Sequence, residues 1–498
     1  MGASEFRCLF RAPADGYDRG MLGISLDRAS RRPLAVQLAE ALRERMMDGS
    51  LRAGTRLPSS RALAEELEAA RGVVVEAYEQ LESEGYLESR RGIGAFVAAG
   101  LELRAERVGG HGPAETRRPA RNAAAVRETA WPRWDFTPGI PELASFPRRA
   151  WARAVADACA FGADRDFSYG SAAGDPRLRA ALSEYLFRLR GLRVEPDRLF
   201  LTAGTSSALQ TLALYFRTSR FHFEDPGLPF AREAFAAAGA AVVPLEVDEE
   251  GAVPPARFAV PPARFAGAER PDLVYLTPSH QFPTGSLMSI ARRLEFVRKA
   301  EEGGALLLED DYDAEFRFRG RPVPPLASFA ADSTVYLGSF SKTLAPFLRV
   351  GWMALPARLT EGWRDFLRRL NLRASAPVQR SLAFLLESGA YERHVAALRR
   401  RYRRRRDLLV AALERELSNV LLVGEGHTGF HLMVRLAEGP IREDQRRAIR
   451  AAGLAVSYGA EFRYRPRSEE RELVLGYGNI RSEAIDEGVR ALGRILRA

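Results

Sequence analysis

Four short apolar runs constrain this chain more than any other feature: Leu199-Phe200-Leu201-Thr202, Leu273-Val274-Tyr275-Leu276, Ala305-Leu306-Leu307-Leu308 and Thr334-Val335-Tyr336-Leu337. None of them alternates polar with apolar residues. Strands that read this way are buried on both faces, as in a parallel sheet covered by helices. Amphipathic helical segments separate them, so the region from Trp134 onward is expected to be a large α/β domain with a mostly parallel sheet. No run approaches the roughly 20 apolar residues of a membrane helix, and the N-terminus lacks the pattern of a secretory signal. Cys8 and Cys159, the two cysteines, exclude a disulfide framework and a cysteine-rich zinc centre. A reducing cytoplasm is the expected compartment.

A smaller unit precedes this domain. Leu34, Leu38, Leu42 and Met46 follow helical spacing, and Gly49 stops the helix. Pro58-Ser59-Ser60 offers a helix cap, with the second helix reaching Leu67. A third helix is expected from about Gly72 to Glu84, with Val74, Ala77, Tyr78 and Leu81 on one face. Residues 86–97 then read as two short strands around a glycine turn. Three helices and a hairpin make a winged helix-turn-helix. The expected organisation is an N-terminal extension over 1–30, the head over 31–99, an Arg-, Ala-, Gly- and Pro-rich linker over 100–133, and the large domain over 134–498, with a smaller subdomain from about residue 376. The Val253–Ala259 sequence VPPARFA repeats at Val260–Ala266, most simply as a surface-loop duplication.

The formal charge of +10 permits a nucleic-acid partner without demonstrating one. More informative is that only Lys299 and Lys342 are lysines; every other basic residue is arginine. Lys299 sits in a charged helical stretch that reads as a solvated face. Lys342, in Gly338-Ser339-Phe340-Ser341-Lys342, follows a buried strand, where α/β sheets hold their ligands. A lysine amine can form a Schiff base with an aldehyde, whereas an arginine stays protonated and cannot. Nearby hydroxyls and Arg349 suit a phosphate. A Schiff-base lysine beside a phosphate site points to pyridoxal 5′-phosphate (PLP). Its pyridine nitrogen needs an acid, and the strand before Glu309-Asp310-Asp311-Tyr312 delivers carboxylates at its end. If that strand continues, Tyr312 points to the side of Asp310 and can donate to the ring 3′-oxygen. The strand, small-residue turn and helix at Leu199–Leu209 offer free N–H groups to an anion.

These segments carry a resemblance. Residues 134–498 resemble a fold-type I PLP enzyme of the aminotransferase class, and residues 33–97 a GntR-type winged-helix head. The order of the two, with Leu57-Pro58-Ser59-Ser60-Arg61, Ala77-Tyr78-Glu79-Gln80-Leu81, Pro278-Ser279-His280-Gln281-Phe282-Pro283-Thr284-Gly285 and Glu309-Asp310-Asp311-Tyr312-Asp313, resembles the MocR subfamily of bacterial transcription regulators. The resemblance implies that Lys342 forms the Schiff base, that Asp310 pairs with the pyridinium and Tyr312 with the 3′-oxygen, and that Gly204, Thr205, Ser206, Ser339 and Arg349 bind phosphate with help from Ser341. It further implies that Tyr169 reaches the phosphate of a partner subunit in a homodimer and that His280 lies near the ring; for both residues ordinary packing is the competing reading.

The sequence also departs from this pattern. The position of the arginine that clamps a substrate carboxylate in aminotransferases corresponds to Val474, and Arg463, Arg465 and Arg481 lie nearby without an assigned role. Phe282 stands where aminotransferases have asparagine. Leu228 replaces an aromatic residue that stacks on the cofactor, with Phe230 a possible substitute. In the head, Gly72-Val73-Val74-Val75 follows Arg71 where relatives carry polar residues, and ten arginines face eleven acidic residues over 31–99. Ser59, Ser60, Arg61 and Arg71, with Gly92 and Gly94 in the wing, are the candidate contacts to double-stranded DNA; Ser59 and Ser60 serve equally as helix caps. The Arg399–Arg406 run reads as a solvated or interface face. The expected function is a transcription regulator that senses PLP or its adduct with an amino compound. An aminotransferase with a vestigial head is the alternative, so enzymatic activity stays open.

Overall fold

The computed structural model describes residues 22–30, 32–90, 93–98, 132–217, 220–258, 271–319, 323–417, 420–423, 426–437, 439–465 and 469–498. Nearly all of the expected linker, Gly92 and the second copy of the repeat lie outside the described residues. The chain divides into two compact units, Met1–Ala125 and Val126–Ala498.

The first unit contains α1 (Leu34–Met47), α2 (Ser60–Glu66), α3 (Arg71–Ser83) and an antiparallel hairpin of β1 (Leu87–Arg90) and β2 (Gly94–Val97). The helical spacing is realised as burial: Leu38, Leu42, Leu63, Val74, Ala77 and Leu81 form its core with Leu57, Leu87 and Val97. Burying such side chains contributes about 1.5–3 kcal/mol for each Leu or Val. Ser59 caps α2, its hydroxyl accepting from the Ala62 N–H at 3.2 Å. The Tyr78 hydroxyl donates to the Pro58 carbonyl at 2.9 Å and ties α3 to the start of that turn. Leu22 is buried in the same core, with Ile24 and Leu26 packed against it.

The second unit opens with β3 (Trp134–Asp135), α4 (Arg148–Ala160) and α5 (Pro176–Arg190). Strand and helix then alternate through β4 (Leu199–Thr202), α6 (Thr205–Phe216), β5 (Arg220–Asp225), α7 (Pro229–Ala237), β6 (Ala241–Asp248), β7 (Gly251–Ala252) and β8 (Leu273–Leu276). The series continues with α8 (Ile290–Gly303), β9 (Leu306–Asp310), α9 (Leu326–Phe329), β10 (Thr334–Ser339), β11 (Gly351–Ala354) and α10 (Thr360–Leu370). Eight strands make one sheet in the order β4-β11-β10-β9-β8-β5-β6-β7. Its centre is parallel, β11 runs antiparallel to both neighbours, and β7 runs antiparallel to β6. The four apolar runs are β4, β8, β9 and β10, and every residue of these strands is buried.

After α11 (Ala376–Glu387) and the long α12 (Ala390–Glu416) come β12 (Val420–Val423), β13 (His431–Leu436), α13 (Glu443–Ala451), β14 (Leu454–Ala455), β15 (Ser457–Tyr458), β16 (Glu472–Gly476) and α14 (Ser482–Arg497). Strands β12-β13-β16-β15 form a four-stranded antiparallel sheet packed on helices, while β14 pairs in parallel with β3. No helix among the described residues is long and apolar enough to cross a membrane.

Two surface expectations are corrected. The arginine run on α12 is partly internal: Arg405 is buried against Glu142 at 2.8 Å and the Gly478 carbonyl, and Arg399 donates to the Glu315 carbonyl at 2.6 Å. A long guanidinium satisfies loop carbonyls that no helix reaches, which is why the run is not simply solvated. Lys299 is also anchored, with a side chain only 13% exposed, donating to the Pro255 carbonyl at 2.6 Å beside Glu295 at 2.9 Å.

Candidate functional site

The carboxyl ends of β4, β9 and β10 deliver the candidate residues, the position at which parallel sheets bind ligands. Three residues beyond β10, the Lys342 amine donates to the Gly139 carbonyl at 2.8 Å. Gly139 has φ +80°, and a Cβ there would come 3.1 Å from the Lys342 nitrogen, so the close approach requires glycine. Burial lowers the Lys342 pKa below the ordinary lysine value, against the pull of Asp310 and Asp313.

Three buried acids with separate roles stand at the end of β9 and one residue beyond it. Glu309 accepts from the Leu326 and Ala327 N–H groups at 2.9 and 3.0 Å and faces Arg293. Asp311 faces Arg190 at 2.8 Å and accepts from the Tyr336 hydroxyl at 2.7 Å. Between them, Asp310 accepts from the Tyr275 hydroxyl at 2.6 Å through Oδ2, while its buried Oδ1 has no partner among the described residues. Burial pushes the Asp310 pKa up to about 7; the Tyr275 hydrogen bond and Lys342 pull it down.

Tyr312 lies beyond β9: the strand stops at Asp310, so period-two spacing does not govern its direction. Its hydroxyl donates to the His280 carbonyl at 3.0 Å. His280 Nδ1 lies 2.6 Å from Asp313 Oδ2, and its ring centroid is 4.5 Å from that of His431. Burial lowers the His280 pKa to about 3 and that of His431 well below its ordinary value. Their ligand-capable atoms and that of Asp313 lie within 4.8 Å of one another. A small cavity beside His280 and Asp313 is lined by Arg190 and Arg317, guanidiniums that disfavour a further cation.

The β4–α6 turn supplies an anion cradle. Gly204, at φ +88°, leads into the N-terminus of α6 with Thr205 and Ser206 in its first turn. The Arg349 guanidinium lies 3.7 Å from where a Gly204 Cβ would be, and it has no ion-pair partner among the described residues. The buried Ser339 hydroxyl accepts from the Ser341 N–H at 3.0 Å. Tyr169 stands apart, 79% exposed on an open depression of about 390 Å³, with Arg373 5.9 Å over its ring.

The opposite wall is apolar. Phe282, Tyr312, Met433, Phe462 and Val474 form one cluster, with Leu228 packed on it. Phe230 packs, as Leu228 also does, on the neighbouring core. Arg463 pairs with Glu472 at 2.6 Å, and Arg481 stands at the N-cap position of α14 without a side-chain cap bond. Gly139, Tyr275, Asp313 and His431 escape sequence reasoning because tertiary pairing alone brings them to the lysine. In the head, the Arg71 guanidinium donates to the Ser60 hydroxyl at 3.2 Å, and Arg61 is exposed. Gly94, φ +128°, lies over Arg56.

A mostly parallel sheet carrying a buried lysine and a half-satisfied aspartate thus stands in one chain with a winged helix-turn-helix. Residues 34–97 match the bacterial regulatory proteins of the gntR family, and residues 139–492 match aminotransferase class I and II. The chain belongs to the MocR-type family of GntR regulators. It is 34% identical to the probable rhizopine catabolism regulatory protein MocR of Rhizobium meliloti, over 94% of each chain. It is also 34% identical to the pyridoxine biosynthesis transcriptional regulator PdxR of Corynebacterium glutamicum, over 78% of this chain and 80% of that one. Among solved structures, LysN, an α-aminoadipate aminotransferase from Thermus thermophilus complexed with N-(5′-phosphopyridoxyl)-L-leucine, matches with TM-score 0.63 and 27% identity, over 73% of this chain and 91% of that one. The chain is accordingly a transcriptional regulator with an aminotransferase-like domain.

Proposed function

We propose that this regulator binds PLP at Lys342 and couples occupancy of that site to DNA binding by paired heads. The observation that carries the reading is the unpartnered, buried Oδ1 of Asp310 within electrostatic reach of the Lys342 amine. A buried carboxylate oxygen without a partner is costly, and a protonated ring nitrogen would satisfy it. The residues fit the cofactor: Gly204, Thr205, Ser206, Ser339, Ser341 and Arg349 would hold its phosphate, Asp310 its ring nitrogen and Lys342 its aldehyde. Bound PLP supplies an electrophilic carbon conjugated to an electron-withdrawing ring. The dry environment of Lys342 favours its neutral, nucleophilic amine. Tyr275 fixes the orientation of Asp310, while His280 and Asp313 hold Tyr312 beside it.

The exposed aromatic residues Phe161, Phe167 and Tyr169 support a homodimer in which Tyr169 completes the partner's phosphate site. Ser60, Arg61, Arg71 and Gly94 are the proposed DNA contacts; the Ser59 hydroxyl is already engaged as a cap. Gly92 belongs to the proposed wing but lies outside the described residues. The apolar wall around Val474 argues for a sensor with at most residual aminotransferase chemistry.

Absorbance tests the cofactor site. The wild-type protein mixed with PLP develops a visible band above that of free PLP, and Lys342→Ala loses it while keeping its melting transition. An unchanged band in Lys342→Ala refutes the assignment. Steady multiple turnover with amino and oxo acids would favour the enzyme with a vestigial head.

A further inference from the structure

The face of the C-terminal sheet near Lys342 is graded in rows. Residues opposed across an antiparallel ladder project from the same face, and so do residues two apart along one strand. The β13–β16 register opposes His431 to Gly476, Met433 to Val474 and Arg435 to Glu472. The innermost row lies against the lysine. A Cβ on Gly476 would come 2.3 Å from the Thr137 carbonyl, two residues before the glycine that holds the Lys342 amine. His431 is within electrostatic reach of Lys342.

The middle row, Val474 and Met433, is buried and apolar and joins Phe282, Phe462, Tyr312 and Leu228 in one cluster. The outer row carries charge, but Glu472 holds both arginines, Arg435 at 2.7 Å and Arg463 at 2.6 Å. Each row advances roughly 6–7 Å along the strand. A carboxylate on the carbon that bears a ligand's amine cannot span to the outer row. It would be desolvated against the middle row, whose two described residues, Val474 and Met433, carry no charge.

We propose that the small-molecule partner of this site is a primary amine without an α-carboxylate, its apolar substituent seated on Val474 and Met433, and that Val474 sets the preference. This rests on the reading that Lys342 carries PLP. In the exchange, the ligand nitrogen bonds to the cofactor aldehyde carbon as the bond to Lys342 Nζ breaks. The two protons of the incoming amine pass to the lysine nitrogen, which leaves as a free amine, and no oxidant or reductant is needed.

The test uses the PLP-loaded full chain and probe pairs that differ only in the carboxylate: 3-methylbutylamine against L-leucine, and 2-phenylethylamine against L-phenylalanine. Band position and melting temperature are followed as each probe is added. The amine of each pair is expected to act at a concentration about tenfold or more below its amino acid. Val474→Arg, or Met433→Arg from the opposing strand should the first fail to fold, is expected to invert the order by supplying the cation. Equal or better binding of the amino acids, no response to either member of a pair, or an unchanged order in a folded variant overturns the proposal. A wild-type chain that shows no PLP band at all overturns the cofactor reading and this inference with it.

Discussion

Asp310 carries the sharpest consequences at the scale of single residues. Its Oδ2 is satisfied by Tyr275 and its Oδ1 by no group among the described residues. Asp310→Asn keeps the shape and removes the charge. A hydrogen bond to a charged group contributes about 1.5–3 kcal/mol, so PLP affinity should fall about 10–100-fold in an absorbance titration; an unchanged affinity would place the ring nitrogen elsewhere. The same residue makes stability depend on pH. Burial raises Asp310 from 3.8 to about 7, and Glu224 and Glu315 from 4.5 to about 7. Groups with folded pKa values above their unfolded ones bind more protons in the folded state. Their contribution is full below the unfolded values and is lost as pH rises through about 7. The PLP-free protein should therefore melt at a lower temperature at pH 8 than at pH 6, and Asp310→Asn should flatten that slope. Melting curves across this range with an equal slope in both proteins would exclude Asp310 as a contributor.

Among elements, β10 matters most because it ends three residues before Lys342. Gly338 pairs with Trp352 of β11, and a Cβ there would come 2.4 Å from the indole ring. Gly338→Ala forces the indole or the strand to move, an overpacking that costs about 1–3 kcal/mol. It should lower the melting temperature and weaken PLP binding together, because the displaced strand carries the lysine; loss of stability with unchanged PLP affinity would show that the lysine loop is independent of β10. Elements of this kind are legible in sequence. Uninterrupted apolar runs gave β4, β8, β9 and β10, and Ser59 announced α2, because burial and capping leave local signatures. The partners of the site are less legible. Tyr275 meets Asp310 because β8 and β9 are neighbours in the sheet, and His431 reaches His280 from a strand about 150 residues away in sequence. The arginine run misled because charge spacing on α12 does not reveal which loop carbonyls the helix passes.

For the whole molecule, the question is whether the proposed ligand site in one unit governs the DNA-binding unit. Any coupling is a free energy shared by both ligands, so it is reciprocal. If PLP changes the operator affinity by some factor, operator DNA must change PLP affinity by the same factor. Protection of the DNA upstream of the gene can locate an operator, and fluorescence anisotropy with that fragment gives the first factor. Absorbance titration of PLP with and without saturating operator gives the second. The two ratios are expected to agree and to differ from one, and Lys342→Ala should bring the first to one without abolishing DNA binding. Arg61→Ala provides the opposite control. It should weaken DNA binding across sequences and reduce the dependence on log salt by about one phosphate contact, with the PLP ratio preserved. A PLP-loaded protein whose operator affinity equals that of the PLP-free form would leave the site intact but uncoupled. The cofactor would then serve stability alone, because a ligand that binds both DNA-binding states equally shifts neither.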